Sequence, residues 1–428
     1  MKFTWFHLMP YRFLPDDFKQ KYRSVWVDIP RSLYDPKIGH QLYNEYLDSL
    51  EFADQAGFDG LGCNEHHQNG YGMMPSPNIM AAALARRTSR ANLVVLGNSI
   101  ALYNPPIRVA EEFAMLDVLS GGRLVAGFPV GTSMDTNFCY GQTPALLREK
   151  YLEAHDLIIK AWTTEEMFSF NGKFTQLRYV NLWPRPLQQP HPPIWIPGGG
   201  SIETWEFCAQ HDYQYSFLSF IGHLHGKRIT DGYWETMNRL NKEANPYSLG
   251  FVQTMGVAET DAEAERIFAP YMDYFYNRCL HIYSGFADAP GYRTLDTIKY
   301  GLLAQYGRPS MSGLTWKEFV DGGYIIAGSP KTVRERLTEA LKTLRCGHLM
   351  ALLQFGSMPS EVTRMSTDLF AREVMPHLRG LWSEYKDRWS PHPLPQAERA
   401  RPAQVGGTGA AANGAPRETV AAAVEVAK

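Results

Sequence analysis

Ala56-Gly57-Phe58-Asp59-Gly60-Leu61-Gly62-Cys63-Asn64-Glu65-His66-His67 decides the fold of this chain. It reads as a helix end, a turn and a short buried strand that finishes in an acid and two histidines. Upstream, Leu42, Tyr43, Tyr46, Leu47, Leu50 and Ala53 recur at the helical period over 41–56, and Gly57 stands where a helix C′ glycine belongs. Downstream the same unit repeats. Asn78 to Arg90 is an Ala-rich helix and Asn92 to Ala101 a strand; Pro105-Pro106 stops it, and a helix runs from Ile107 to Leu119. Gly121-Gly122 turns the chain into a strand over Arg123 to Phe128, followed by a helix over about Pro144 to Trp162. Further strands fall at 2–8, 193–197, Tyr213 to Phe220, Leu249 to Ala258 and His348 to Phe355, with helices from Ala262 to about Ile282 and from Pro359 to about Leu378. Such alternation implies parallel units, and about eight of them close into an α/β structure, the (β/α)8 TIM barrel. A doubly wound open sheet is the alternative, but no GxGxxG follows the first strand.

The barrel is expected over residues 1–385. Phe168-Ser169-Phe170-Asn171-Gly172-Lys173-Phe174 signals a hairpin, Asn-Gly between aromatic runs. Ser284 to Gly323 reads as long and irregular, and its Tyr292, Tyr300, Tyr306 and Trp316, with Tyr283 before them, suit an inserted lid at about 284–323. From about Pro391 the chain is Ala/Gly/Pro-rich, so 386–428 is expected to be a disordered tail with a weak helical pattern over Thr419 to Val426.

The 428 residues carry a formal charge of −2 with 44% hydrophobic residues, an ordinary globular composition. Near-neutral charge gives no electrostatic argument for nucleic acid or an anionic membrane as partner. No stretch approaches the ~18 apolar residues of a membrane span. Five scattered cysteines without a CxxC pair speak against a disulfide framework or zinc ribbon. With no apolar leader after Met1, a reducing cytoplasmic location is expected.

Chemistry in such a barrel gathers at the C-terminal strand ends, where Glu65, His66 and His67 fall. Histidine is the side chain that titrates nearest neutral pH. Neighbouring histidines on extended backbone face opposite sides and seldom hold one ion, so no metal is expected here. Gly198-Gly199-Gly200-Ser201 can cradle a phosphate before a helix or simply form a tight turn with a Ser N-cap. Gly328-Ser329-Pro330 reads as a plain helix cap. His223-Leu224-His225 lacks a nearby acid or cysteine and reads as an exposed or lid pair. GxSxG and GxxxxGK[ST] are absent, so a serine hydrolase or P-loop enzyme has no support.

Together these pieces resemble the bacterial-luciferase-like, flavin-dependent monooxygenase family. The matching stretches are Ala56 to Gly60 running into Glu65-His66-His67, Ser76-Pro77-Asn78, Leu96-Gly97-Asn98-Ser99-Ile100 with Asn104-Pro105-Pro106, and Glu111 through Leu119 to Arg123. Pro193-Ile194-Trp195-Ile196, Ala327-Gly328-Ser329-Pro330 and Glu373-Val374-Met375-Pro376 complete the series over about residues 1 to 380. The resemblance implies a barrel that binds reduced FMN (FMNH2) and, with O2, forms a C4a-(hydro)peroxyflavin that oxidises a small organic substrate. It also implies a two-component system with a separate NAD(P)H:flavin reductase, and a homodimer. Carried over by position, His66 is the catalytic candidate, with Glu65 orienting a neighbour. Asn98 and Ser99 lie under the flavin ring, with a cis peptide expected at Ser99-Ile100. Gly199, Gly200 and Ser201 match the phosphate loop, Phe220 an aromatic lining the flavin, and Arg148 and Tyr151 are further cofactor-binding candidates. The chain departs from luciferase itself: Pro129 replaces the reactive cysteine and Val130 a phosphate-binding arginine, which leaves Arg148 as a source of charge. His7, Met9, Tyr11 and the lid would shape a pocket for an apolar or aromatic substrate. An F420-dependent oxidoreductase on the same barrel, a non-catalytic flavin-binding relative and a barrel metal hydrolase are the rival readings.

Overall fold

In the computed structural model, residues 1–131, 133–287, 291–305 and 313–399 are described. The strands are β1 (Lys2–His7), β2 (Gly60–Cys63), β3 (Asn92–Val95), β4 (Leu124–Gly127), β5 (Phe168–Asn171), β6 (Gln176–Val180), β7 (Ile194–Gly198), β8 (Gln214–Phe217), β9 (Leu249–Val257), β10 (Ile325–Gly328) and β11 (His348–Leu352). β5 and β6 form the expected antiparallel hairpin. The ring runs β1-β2-β3-β4-β7-β8-β9-β11 and back to β1, every neighbour parallel. The fold is thus a closed (β/α)8 barrel, and its eight strands are those marked out by the apolar runs. They are buried except at Lys2, Asn92 and Gly198 at strand ends, because barrel side chains fill one face and helices cover the other.

Local chemistry sets the element ends. Asp35 caps the helix Pro36–Gln55 by accepting from the Lys37 N–H, with Pro36 at its first position, and Gly57 closes it at φ +99°. Ser329 caps Pro330–Leu344 in the same way, and Asp261 accepts from the Ser329 N–H and the Thr332 hydroxyl. That helix N-terminus already holds a carboxylate, so Gly328-Ser329-Pro330 is a cap, as its sequence suggested.

Several expectations need correction. The third strand stops at Val95 instead of Ala101, because Gly97 passes so close to Pro129 that a Cβ there would lie 2.1 Å from the proline Cδ. The cis peptides lie at Asn104-Pro105, Trp183-Pro184 and Gln189-Pro190, and the Ser99-Ile100 bond is trans. The segment expected to be irregular contains helices Ser284–Ala287, Leu295–Gln305 and Trp316–Asp321, the last held by a reciprocal Thr315–Glu318 capping box. Residues 288–290 and 306–312, with Tyr306, lie outside the described residues. β10 went unseen in the sequence. It pairs with the upper half of β9, Ile325 to Thr254 through Gly328 to Val257, while β8 holds the lower half.

Residues 386–399, expected to belong to a disordered tail, are packed on the barrel. The Trp389 carbonyl accepts from the Trp195 indole, the Trp389 indole donates to Asp212, and Arg388 pairs with Asp212 and Glu243. This strap crosses the N-terminal end of the barrel, opposite the strand ends that carry chemistry. The helical pattern at Thr419 to Val426 lies outside the described residues.

Candidate active site

β2 delivers Glu65, His66 and His67 to the C-terminal rim, and extended backbone turns them alternately to opposite sides. Glu65 and His67 share one side, with His67 Nε2 3.1 Å from the Glu65 carboxylate. His66 faces the other, its Nδ1 2.9 Å from Asp135 Oδ2. Asp135 belongs to the helix Met134–Cys139 after β4, so the His66 pair joins two strand ends.

The two carboxylates are committed differently. Glu65 accepts from His67, the Tyr103 hydroxyl (2.7 Å) and the Ser99 N–H (2.7 Å), which leaves it braced between three elements. Asp135 Oδ2 accepts from His66, the His67 N–H (3.3 Å) and the Asn69 amide (2.9 Å), while its buried Oδ1 has no partner among the described residues. Burial opposes its charge, but the neighbouring His66 and the hydrogen bonds from His66 and the His67 N–H hold the carboxyl below its ordinary value. An ionised Asp135 fixes the proton of neutral His66 on Nδ1 and leaves Nε2 to accept; no hydrogen bond among the described residues occupies Nε2. Around the ring stand Tyr71, edge-on with centroids 4.5 Å apart, and Trp26 at 5.7 Å. Phe220 extends this aromatic wall, 6.4 Å from Tyr71 and 5.4 Å from Phe275.

A second cluster forms on the same rim after β7. Ser201 caps the helix Ile202–His211 and receives Arg148 Nη2 at 3.3 Å. Arg148 also donates to the Tyr292 hydroxyl (2.7 Å) and lies 5.0 Å from that ring's centroid. Its buried Nε has no partner among the described residues. Gly200 has φ +105°, and a Cβ on Gly199 would meet nothing within 4 Å. An orphaned guanidinium donor, an open glycine and a helix N-terminus fit a phosphate. Glu203 stands at the same N-terminus, but the hydroxyls of Ser201, Thr294 and Thr297 engage its oxygens, and with burial working against them they hold it below its usual value.

Not every candidate reaches these clusters. The Asn98 side chain is exchanged reciprocally with Asn78 (2.7 and 3.0 Å), which also donates to Glu112. Buried Tyr151 donates to the Phe128 carbonyl and braces the end of β4. Ser99 is buried, its N–H on Glu65. His223-Leu224-His225 lies in the helix Gly222–Arg239, and no cluster of three or more His, Cys, Asp or Glu suited to a metal occurs among the described residues. Sequence reasoning missed Asp135, Asn69 and Tyr103, and it placed Tyr292 in the lid without its contact to Arg148. Asp135 lies eight residues beyond the end of β4, in a short helix, whereas Glu65 follows β2 by two, so no common spacing marked it in the sequence.

Residues 29–345 match the model of the luciferase-like monooxygenase family. The chain belongs to that family. It is therefore an enzyme of the luciferase-like monooxygenase type. The oxygenase component of the flavin-dependent trigonelline monooxygenase of Acinetobacter baylyi is 27% identical over 261 residues, 59% of this chain and 69% of that protein. The oxygenating constituent of 3,6-diketocamphane monooxygenase from Pseudomonas putida, solved in complex with FMN, aligns with a TM-score of 0.65 at 19% identity over 79% of this chain and 93% of that one. An F420-dependent glucose-6-phosphate dehydrogenase from Amycolatopsis mediterranei is 27% identical over 184 residues, 39% of this chain and 53% of that protein. Among the described residues no helix is long and apolar enough to cross a membrane.

Proposed function

We propose that this protein is an FMNH2-dependent monooxygenase that places one atom of O2 in a small organic substrate and releases the other as water. Two electrons come from the flavin, reduced by a separate NAD(P)H:flavin reductase, and two protons balance the water. The observation that carries the reading is the pairing, on one barrel rim, of the His66–Asp135 dyad with the Arg148–Ser201 cradle.

Arg148, Ser201 and the backbone at Gly199 and Gly200 would hold the flavin phosphate. Reduced flavin, when bound, supplies the electrons that activate O2. His66 holds or gives a proton at Nε2, and Asp135 orients the ring and balances its charge when both nitrogens are protonated. Glu65 keeps His67 and the Ser99 backbone in place. Trp26, Tyr71 and Phe220 keep water from the reacting centre, which protects against loss of oxidising equivalents as peroxide. Tyr292 covers Arg148, and Thr294 and Thr297 cover Glu203, which suits a cradle closed over a terminal phosphate. That supports FMN over F420, whose phosphate continues into an acidic tail. A homodimer belongs to the same reading.

Anaerobic titration with reduced FMN and reduced F420 tests the cofactor, and aerobic turnover with a generic flavin reductase, read by mass spectrometry for one added oxygen, tests the reaction. FMN binding and a singly oxygenated product are expected. Tight F420 binding with no FMN binding overturns the reading in favour of hydride transfer, and turnover that yields only peroxide across a broad substrate panel overturns it in favour of a flavin-binding relative.

A further inference from the structure

A cavity of about 450 Å³ lies beside His66, enclosed by the loop after β1, by Ile29 to Tyr34 and by Gln68 to Pro75. Its size falls within the roughly 300–1,000 Å³ typical of small-ligand sites. Leu14, Ile29, Leu33 and Met73 supply aliphatic wall, and Tyr11 and Tyr43 supply aromatic faces. The hydroxyls of those tyrosines are each engaged by the backbone. The Tyr43 hydroxyl donates to the Met73 carbonyl, and the Tyr11 hydroxyl accepts from the Asp35 N–H. The glycines of the loop keep the space open: a Cβ on Gly70 would press on Leu14 at 3.2 Å and Ile29 at 3.4 Å, and one on Gly72 would lie 2.9 Å from the Leu8 carbonyl. Apart from His66, Arg31 is the one charged residue of the lining, and it is exposed to solvent.

We propose that this cavity seats the organic substrate, and that the substrate is a neutral, apolar, ring-containing molecule. The proposal rests on the monooxygenase reading above and specifies its substrate class. Walls of this kind gain from every apolar atom removed from water and, apart from His66, which Asp135 already pairs, offer no buried charged partner, so the desolvation of a charge would go uncompensated. Flat tyrosine faces favour a ring over an extended chain. A molecule seated here lies against the His66 side chain, whose Nδ1 is held by Asp135.

The test is binding of neutral ring probes (camphor, indole and naphthalene) and of benzoate to the full chain, followed by ligand-observed NMR with and without FMN. Leu33→Trp and Ile29→Trp each fill the cavity from a different wall, and FMN affinity is measured in parallel by fluorescence. Expected are binding of the neutral probes, none of benzoate, and at least about tenfold weaker probe binding in both variants with FMN affinity unchanged. Neutral probes that bind nowhere, that bind equally well to both variants, or that bind less tightly than benzoate overturn the proposal. If FMN binds while the probes fail, the substrate seat falls and the cofactor reading stands. If the probes behave as expected and FMN does not bind, the seat stands and the monooxygenase reading falls.

Discussion

Replacing His66 by alanine removes a ring whose Nδ1 is pinned by Asp135 and whose side chain is 14% exposed. The fold and flavin affinity should survive, while oxygenated product per flavin oxidised should drop ~10²–10⁴-fold, the range for losing a positioned acid–base group. Product and peroxide measured together check this, and unchanged coupling removes His66 from the mechanism. Asp135→Asn should lower kcat by about 10²-fold, the lower end of that range, with KM nearly constant, because the ring stays but its tautomer is no longer imposed. A wild-type kcat in Asp135→Asn, by steady-state kinetics, would show that the dyad is only structural. The motif Glu65-His66-His67 marked the place in the sequence. Which histidine faces which acid needed Asp135, some seventy residues away, because only the packing of β2 beside the loop after β4 joins them.

At the scale of elements, two pieces that are distant in the chain make the anion cradle: the loop after β7 and the helix Leu147–Thr163. Arg148→Ala should weaken FMN binding by roughly 10–100-fold, as expected for a charge-assisted hydrogen bond of about 1.5–3 kcal/mol. Riboflavin, which lacks the phosphate, should bind the variant and the parent alike. Fluorescence titration of both ligands makes the comparison, and equal losses would mean that Arg148 does not read the phosphate. The glycine run and Ser201 stood out in the sequence as a turn before a helix, but a phosphate cradle and a plain Ser cap fitted that pattern equally. β10 was not legible: Ile325 to Gly328 is too short to show a period, and its partner on β9 is some seventy residues away. The helices of 284–323 were hidden in the same way by Gly- and Pro-rich surroundings that mimic irregular chain.

Across the whole molecule, two buried histidines should make the fold acid-sensitive. Burial, with the Arg12 charge adding to it, pushes the His7 imidazole down to about 3, and burial pushes His155 down to about 4 against its hydrogen bond to Asp156. In the unfolded chain both titrate near 6.5, so below that pH the unfolded state binds protons that the folded state refuses. Their contribution is fully present above about pH 6.5 and falls away with acid, by about 1.4 kcal/mol per pH unit for each group, down to its folded value. Urea unfolding from pH 7 to 4.5 reads the slope, and His155→Gln should reduce it; a flat profile would place these rings in contact with water. The strap at the barrel base carries another expectation. Trp389 is 4% exposed and hydrogen-bonded at both its carbonyl and its indole. Trp389→Ala should cost about 3–5 kcal/mol, as for other buried aromatics, and lower Tm in a thermal melt; an unchanged Tm would mean that the strap adds nothing to the fold. By itself the sequence determined the barrel and its chemical rim, since helix and strand periods, caps and apolar runs are local properties that survive without knowledge of neighbours. Only the tertiary structure decided the dyad partners, the contact of Arg148 with Ser201 and Tyr292, the cavity beside His66 and the packing of 386–399. Those depend on which distant segments the closed ring brings together, and a one-dimensional pattern carries no distance between them.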